Sequence, residues 1–182
     1  FALSGNGFIK INLADKKVEY PANIQLASIK DIIFSSDGTK LITVGDSWEK
    51  NITLFDITNG KSSFLNNSVE QIKWSQKKDK IYYVFSRELN ETSNWQLNTA
   101  DPDGNNWKNI AEFTNRFIEK YWISSNEDKI LLATFSQNEN QEITYNYYLA
   151  NLNNSSLILL DKIKFMNSAS WSPDDLHIAY VN

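Results

Sequence analysis

The chain has 182 residues, a net charge of −4, no cysteine and one histidine. At this length a single domain, residues 1–182, is the expectation, and it buries roughly 70% of the surface its unfolded chain exposes. Interspersed charges of both signs exclude the concentrated basic face that nucleic acid needs, no run approaches the roughly 18 apolar residues of a membrane span, and without cysteine neither disulfides nor thiolate chemistry is available.

The chain opens on Phe1, with no charged and apolar leader pattern, so any targeting segment is expected to have been removed or to lie outside it. Phe1–Leu3 reads as the tail of a strand. "FIKINLADKKVEY" (Phe8–Tyr20) is a short strand, a polar turn and a second short strand. "IKDIIFSSDGTKLITV" (Ile29–Val44) is a hairpin, followed by the aromatic-bearing polar stretch "SWEKN" (Ser47–Asn51). "ITLFDITNGKSSFL" (Ile52–Leu65) returns to the strand–turn–strand plan, and "VEQIKWSQKKDKIYYV" (Val69–Val84) to the hairpin. "SRELNETSN" (Ser86–Asn94) reads as an exposed polar connection. "NWQLNTADPDGNNWKNI" (Asn94–Ile110), "IEKYWISSNEDKILLA" (Ile118–Ala133) and "YYLANLNNSSLILL" (Tyr147–Leu160) continue the alternation, with a second polar connection, "SQNENQE", before Tyr147. "MNSASWSPDDLHIAYV" (Met166–Val181) closes it with a fourth hairpin.

These hairpins are one repeat. A large apolar anchor (Phe34, Trp74, Ile123, Trp171) precedes a serine, and seven positions after the anchor comes Leu41, Ile81, Ile130 or Ile178, opening a second apolar run. In the third repeat the aromatic, Trp122, stands one place early. Each period adds the two weaker strands between hairpins, giving four strands per repeat. The runs are rich in Ile, Tyr, Phe, Trp and Val, as pleated surfaces prefer, and no window keeps a helical period. Four strands recurring every 40 to 49 residues are the mark of a propeller blade. The expected fold is therefore all-β: a β-propeller of four-stranded antiparallel blades, about four repeats.

The "WSPDDLHIAYV" and "FSSDGTKLITV" hairpins and the "DPDGNNW" turn resemble the WD-like propeller repeats of the TolB family. They resemble, more distantly, the propeller domains of prolyl-oligopeptidase-type peptidases. The likeness covers essentially the whole chain. That family's usual "SPDG" turn is intact nowhere: "SSDG", "SQKK", "SSNE" and "SPDD" stand in its place. The resemblance implies a bacterial protein of the envelope or cell exterior, hence extracytoplasmic.

Two closures fit the ends. The repeats form an arc of a larger propeller, or Met166–Val181 pairs with Phe8–Tyr20 to close a four-bladed ring. The arc is favoured, because Phe1–Leu3 would be redundant in a ring.

Candidate chemistry is sparse. A Ser-His-Asp site would have to use His177, and no G-x-S-x-G elbow accompanies it; His177 reads as an edge or core residue. One histidine without cysteine cannot form the usual zinc set. Asp101, Asp103, Asn105 and Glu112 fall at positions 1, 3, 5 and 12 of a calcium-loop template, but the sixth position, which should be Gly, is Asn106. The reading preferred for this stretch is a plain turn. No cofactor is expected. Ser47–Asn51, Trp95 and Trp107 offer aromatics that could stack on sugars or bases, although propellers consume aromatics in blade packing, the preferred reading.

Four and three positions before each anchor stand Lys30 and Asp31, Glu70 and Gln71, Glu119 and Lys120, Asn167 and Ser168. All are polar within apolar strands. The first strand of a blade lines the central channel, so these pairs are expected to form a mixed-charge rim at one mouth. The competing reading is that strand starts are polar because they emerge from loops. The expected function is a non-catalytic scaffold binding another protein, or docking the remainder of a larger propeller. The alternatives are the substrate-gating propeller of a larger hydrolase and a glycan-binding propeller.

Overall fold

The computed structural model describes residues 2–4, 7–11, 14–19, 29–45, 51–66, 68–89, 92–163 and 168–181. Among these there are only strands and turns. β1 (Ala2–Ser4), β2 (Gly7–Ile11) and β3 (Val18–Glu19) form a three-stranded sheet. Three four-stranded meanders follow: β4 (Ile29–Phe34), β5 (Lys40–Gly45), β6 (Ile52–Asp56) and β7 (Lys61–Asn66); β8 (Val69–Trp74), β9 (Ile81–Leu89), β10 (Thr92–Ala100) and β11 (Lys108–Thr114); β12 (Phe117–Ile123), β13 (Lys129–Gln137), β14 (Ile143–Asn151) and β15 (Ser156–Ile163). β16 (Ala169–Trp171) and β17 (Ile178–Tyr180) form a two-stranded sheet. All pairings are antiparallel. Among the described residues β16–β17 does not pair with β1–β3 and the sheets do not close on one another, as in part of a propeller.

The repeat register holds at every blade. Phe34 pairs Leu41, Trp74 pairs Ile81, Ile123 pairs Ile130 and Trp171 pairs Ile178. Ile123, rather than the early Trp122, is therefore the true equivalent. Each anchor's serine fixes the turn: its N–H donates to the carbonyl five residues on, from Ser35 to Lys40, Ser75 to Lys80, Ser124 to Lys129 and Ser172 to His177, at 2.9–3.0 Å. A closed turn of fixed length sets hairpin register, and a one-residue slip would turn each apolar face outward.

Blades stack through alternate side chains. Ile81, Tyr83 and Ala100 pack on Ile42, Val44 and Ile52 of the preceding sheet, while Tyr82, Val84 and Leu97 pack on Ile118, Ile130 and Leu132 of the following one. A strand buried on both faces reads as a continuous apolar run, as "IYYV" does, and each such side chain contributes about 1.5–3 kcal/mol by leaving water. Leu131, Ala133 and Tyr147 carry the stack on to Ala169 and Trp171.

One expected connection is not a loop. β9 and β10 run in register from Ile81↔Ala100 to Leu89↔Thr92, so most of Ser86–Asn94 is a strand extension. Of its side chains Arg87, Glu88 and Thr92 are exposed, whereas Ser86, Ser93 and Asn94 are half-buried.

Candidate binding surface

The first strands β4, β8, β12 and β16 together line an open groove of about 670 Å³. β4 contributes Asp31 and Ile33, β8 Lys73 and Trp74, β12 Trp122 and Ile123, and β16 Ser170 and Trp171. Innermost strands have one unpaired backbone edge, whose carbonyls need donors. Neighbouring blades supply them. Gln71 Nε2 donates to the Glu119 carbonyl, Lys73 Nζ to the Tyr121 carbonyl, and Trp171 Nε1 to the Trp122 carbonyl at 3.0 Å. The Lys73 ammonium also lies 4.5 Å above the Tyr121 ring, and its burial there lowers its pKa from the ordinary lysine value.

Three of the four predicted rim pairs lie at a common backbone feature. In β4, β8 and β12 the pairing shifts register at Lys30, Glu70 and Glu119, between Ile29 and Asp31, Val69 and Gln71, and Ile118 and Lys120. Each is a β-bulge, which kinks the strand and re-aims the side chains around it. Lys30, Asp31, Glu119 and Lys120 are exposed, and Glu70 and Gln71 half-buried. Glu70 Oε1 accepts from Ser86 Oγ at 2.9 Å, and Asp31 Oδ1 from the Ile32 amide at 2.8 Å. Ser168 is exposed, with its carbonyl accepting from the Val181 amide. Asn167 lies outside the described residues, as do Ser47–Lys50. Of the described rim residues only Asp31 lines the groove, which extends instead toward the hairpin turns.

At that end stand two residues sequence reasoning did not single out, Glu127 and Asp175. They occupy the fourth turn position, where "SPDG" has glycine, and adopt left-handed φ of 54° and 57°. Both are 3% exposed, and both reach back to the preceding blade. Glu127 Oε1 accepts from the Gln76 and Lys77 amides at 2.7 and 3.0 Å, and Oε2 from Ser75 Oγ. Asp175 accepts from the Ser125 and Asn126 amides at 2.7 and 2.6 Å. Lysines complete the clamp: Lys78 Nζ donates to the Glu127 carbonyl and Lys129 Nζ to the Asp175 carbonyl, at 2.6 and 3.3 Å. Burial acts to raise the Asp175 carboxyl, but the two amide bonds outweigh it and hold it below the ordinary aspartate value. Burial, and then the Glu127 charge, push Tyr82 up to about 12. Tyr121, whose hydroxyl donates to the Tyr82 carbonyl at 2.7 Å, is raised well above its ordinary value by burial. The legible signal was an acid replacing glycine in two successive turns.

The remaining candidates are local turn structure. Asp101 accepts from Asn106 Nδ2 at 2.6 Å and from Lys80 Nζ at 3.0 Å, and Asp103 bonds Asn105 through both its oxygens. Asn106 takes φ 50°, the conformation a glycine would give. Glu112 sits mid-strand opposite Gln96, bonded to Asn94. Among the described residues no three His, Asp or Glu gather as metal ligands. His177 is neither core nor strand edge: it is an exposed turn residue just before β17, its Nδ1 3.9 Å from Asp174. Ser172 Oγ donates to Asp174 and accepts from the His177 amide, so serine and imidazole are not coupled as a nucleophile requires. Trp95 packs on Phe117 at 5.1 Å, as expected, whereas Trp107 is 64% exposed.

No protein-family model matches the chain, and no curated protein matches its sequence. Solved structures do match. An oligogalacturonate lyase in complex with manganese aligns with a TM-score of 0.67 at 12% identity, over 94% of this chain and 52% of that one. TolB from Acinetobacter baumannii aligns with a TM-score of 0.58 at 15% identity, over 96% and 42%. The β-propeller domain of the trilobed protease from Pyrococcus furiosus, which has an open velcro topology, gives 0.56 at 15% identity, over 84% and 48%. The chain therefore has the β-propeller fold found in TolB and in protease propeller domains, and spans about half the length of the lyase. No helix among the described residues is long and apolar enough to cross a membrane.

Proposed function

We propose that this chain is a non-catalytic propeller scaffold whose first-strand groove and bulge rim bind another protein. The observation that carries this reading is the groove itself, an open surface shared by all four first strands with Asp31, Lys73 and three tryptophans along it. Buried and half-buried aromatics beside charged side chains are the composition of a protein-binding hot spot. The edge of β17, unpaired among the described residues, gives a second surface, on which further strands of a larger propeller would dock. Similarity to TolB supports a place outside the cytoplasm. Nucleic acid and membrane insertion are not part of the proposal.

The test is site-specific photo-crosslinking in a bacterial envelope extract, with the photoreactive residue at Asp31, at Gln76, or in the exposed Asn138–Gln141 turn. A single adduct from the first two positions but not the third supports the groove. Its affinity should then fall more for Asp31→Ala with Glu70→Ala than for Asn138→Ala with Gln141→Ala; equal losses end the idea. The second reading, a substrate-gating propeller of a larger hydrolase, draws on the likeness to the trilobed protease domain. A hydrolase segment joined to this chain, with turnover lost when the groove is blocked, would favour it.

A further inference from the structure

A cavity of about 390 Å³ lies between the β4–β7 and β8–β11 sheets, apart from the first-strand groove. Its floor is apolar, with Ile52 from one sheet and Ile81 and Ala100 from the other. One wall is polar. β10 presents Gln96 and Asn98 to the cavity, while Leu97 between them packs the opposite way. Asn98 is 3% exposed, and its Oδ1 accepts from Asn109 Nδ2 at 3.1 Å.

The rim is aromatic. Trp107 stands there 64% exposed, with no ring partner among the described residues, held by the Asp101–Trp107 turn. Gly104 lets that turn close on the neighbouring blade: it takes φ +84°, and a Cβ there would lie 3.3 Å from Leu65 Cδ2. Both blades therefore build the mouth.

From this geometry we infer that the cavity between the two blades binds an uncharged pyranoside. Among the described residues none that lines the cavity is charged, so a charged ligand would lose its hydration for no ionic partner there. Side-chain amides donate and accept together, as sugar hydroxyls do. The open indole offers a flat apolar platform for the C–H face of a ring, and the volume lies at the small end of ligand pockets. The site is independent of the protein-binding groove.

The experiment is saturation-transfer NMR on the 182-residue chain with the methyl pyranosides of glucose, galactose and mannose. One of the three is expected to bind with a Kd of about 1 mM, receiving saturation at its ring C–H protons. Trp107→Ala should weaken it at least about tenfold, a change of about 1.4 kcal/mol, and Gln96→Ala less. Trp95→Phe should leave it unchanged, and methyl glucuronide should bind more weakly than its neutral counterpart. Transfer to none of the three sugars overturns the inference. So does binding insensitive to Trp107→Ala, tighter binding of the glucuronide, or capture of an N-acetylasparagine amide probe in place of every sugar.

Discussion

Replacing Glu127 tests whether side chains clamp one blade to the next. Its carboxylate accepts from the Gln76 and Lys77 amides and from Ser75 Oγ, across a blade boundary. Bonds to a charged acceptor contribute about 1.5–3 kcal/mol each, less where water replaces the lost partner. Gln76 and Lys77 are exposed and regain water, whereas Ser75 is 1% exposed and does not. Glu127→Ala should therefore cost about 3 kcal/mol, counting two bonds at the low end of that range. A non-glycine residue at left-handed φ carries a cost of about 1 kcal/mol, and Glu127 sits at 54°. Glu127→Gly removes the same bonds but relieves that strain, so it should cost about 2 kcal/mol. The assay is urea unfolding read at constant m, with a thermal midpoint loss of about 6–12 °C expected for the alanine variant. An alanine variant within about 0.5 kcal/mol of wild type, the scatter of ordinary surface changes, would refute the clamp. A glycine variant no better than alanine would refute the strain term.

Acid should weaken the fold through the turn carboxylates. Asp37 is lowered to about 2 by the Ser35 hydroxyl and the Thr39 amide and hydroxyl, and Asp101, Asp103, Asp174 and Asp175 are lowered too. A depressed folded-state pKa stabilises above the unfolded value near 4 and loses that stabilisation as pH falls toward the folded value. Urea midpoints should be flat above about pH 5 and fall toward pH 2, and Asp37→Asn should flatten part of that fall; an unchanged slope would contradict the assignment. Two glycines separate strain from contact. Gly38→Ala meets only φ +69° with open space around it, whereas Gly104→Ala meets φ +84° and the Leu65 side chain. Alanine at 38 should cost about 1 kcal/mol and at 104 clearly more; equal costs would remove the contact from the account.

The blades were legible because the serine turn and its two flanking apolar runs are local. Phe34↔Leu41 and Trp74↔Ile81 follow from a hairpin of fixed length, with no help from the rest of the chain. The bulges at Lys30, Glu70 and Glu119 were visible only as polarity, since a register shift is defined by the partner strand. Glu127 and Asp175 read as eroded turn glycines. Their partners lie 50 or so residues away, in the preceding blade, and only stacking brings them together. Trp107 and Trp95 look alike in sequence; one packs and the other stands open because, among the described residues, Trp95 meets an aromatic ring of the next blade and Trp107 meets none.

The open arc is tested most directly at β17. Val181 N bonds Ser168 O and Ser172 N bonds His177 O, so Ala179 faces β16 while the Ile178 and Tyr180 amides face the unpaired edge. In dilute, monomeric protein, hydrogen exchange should protect Ala179 and leave Ile178 and Tyr180 exchanging as free backbone. Protection of all three alike would mean that another strand of the same chain pairs there, and that the arc is closed.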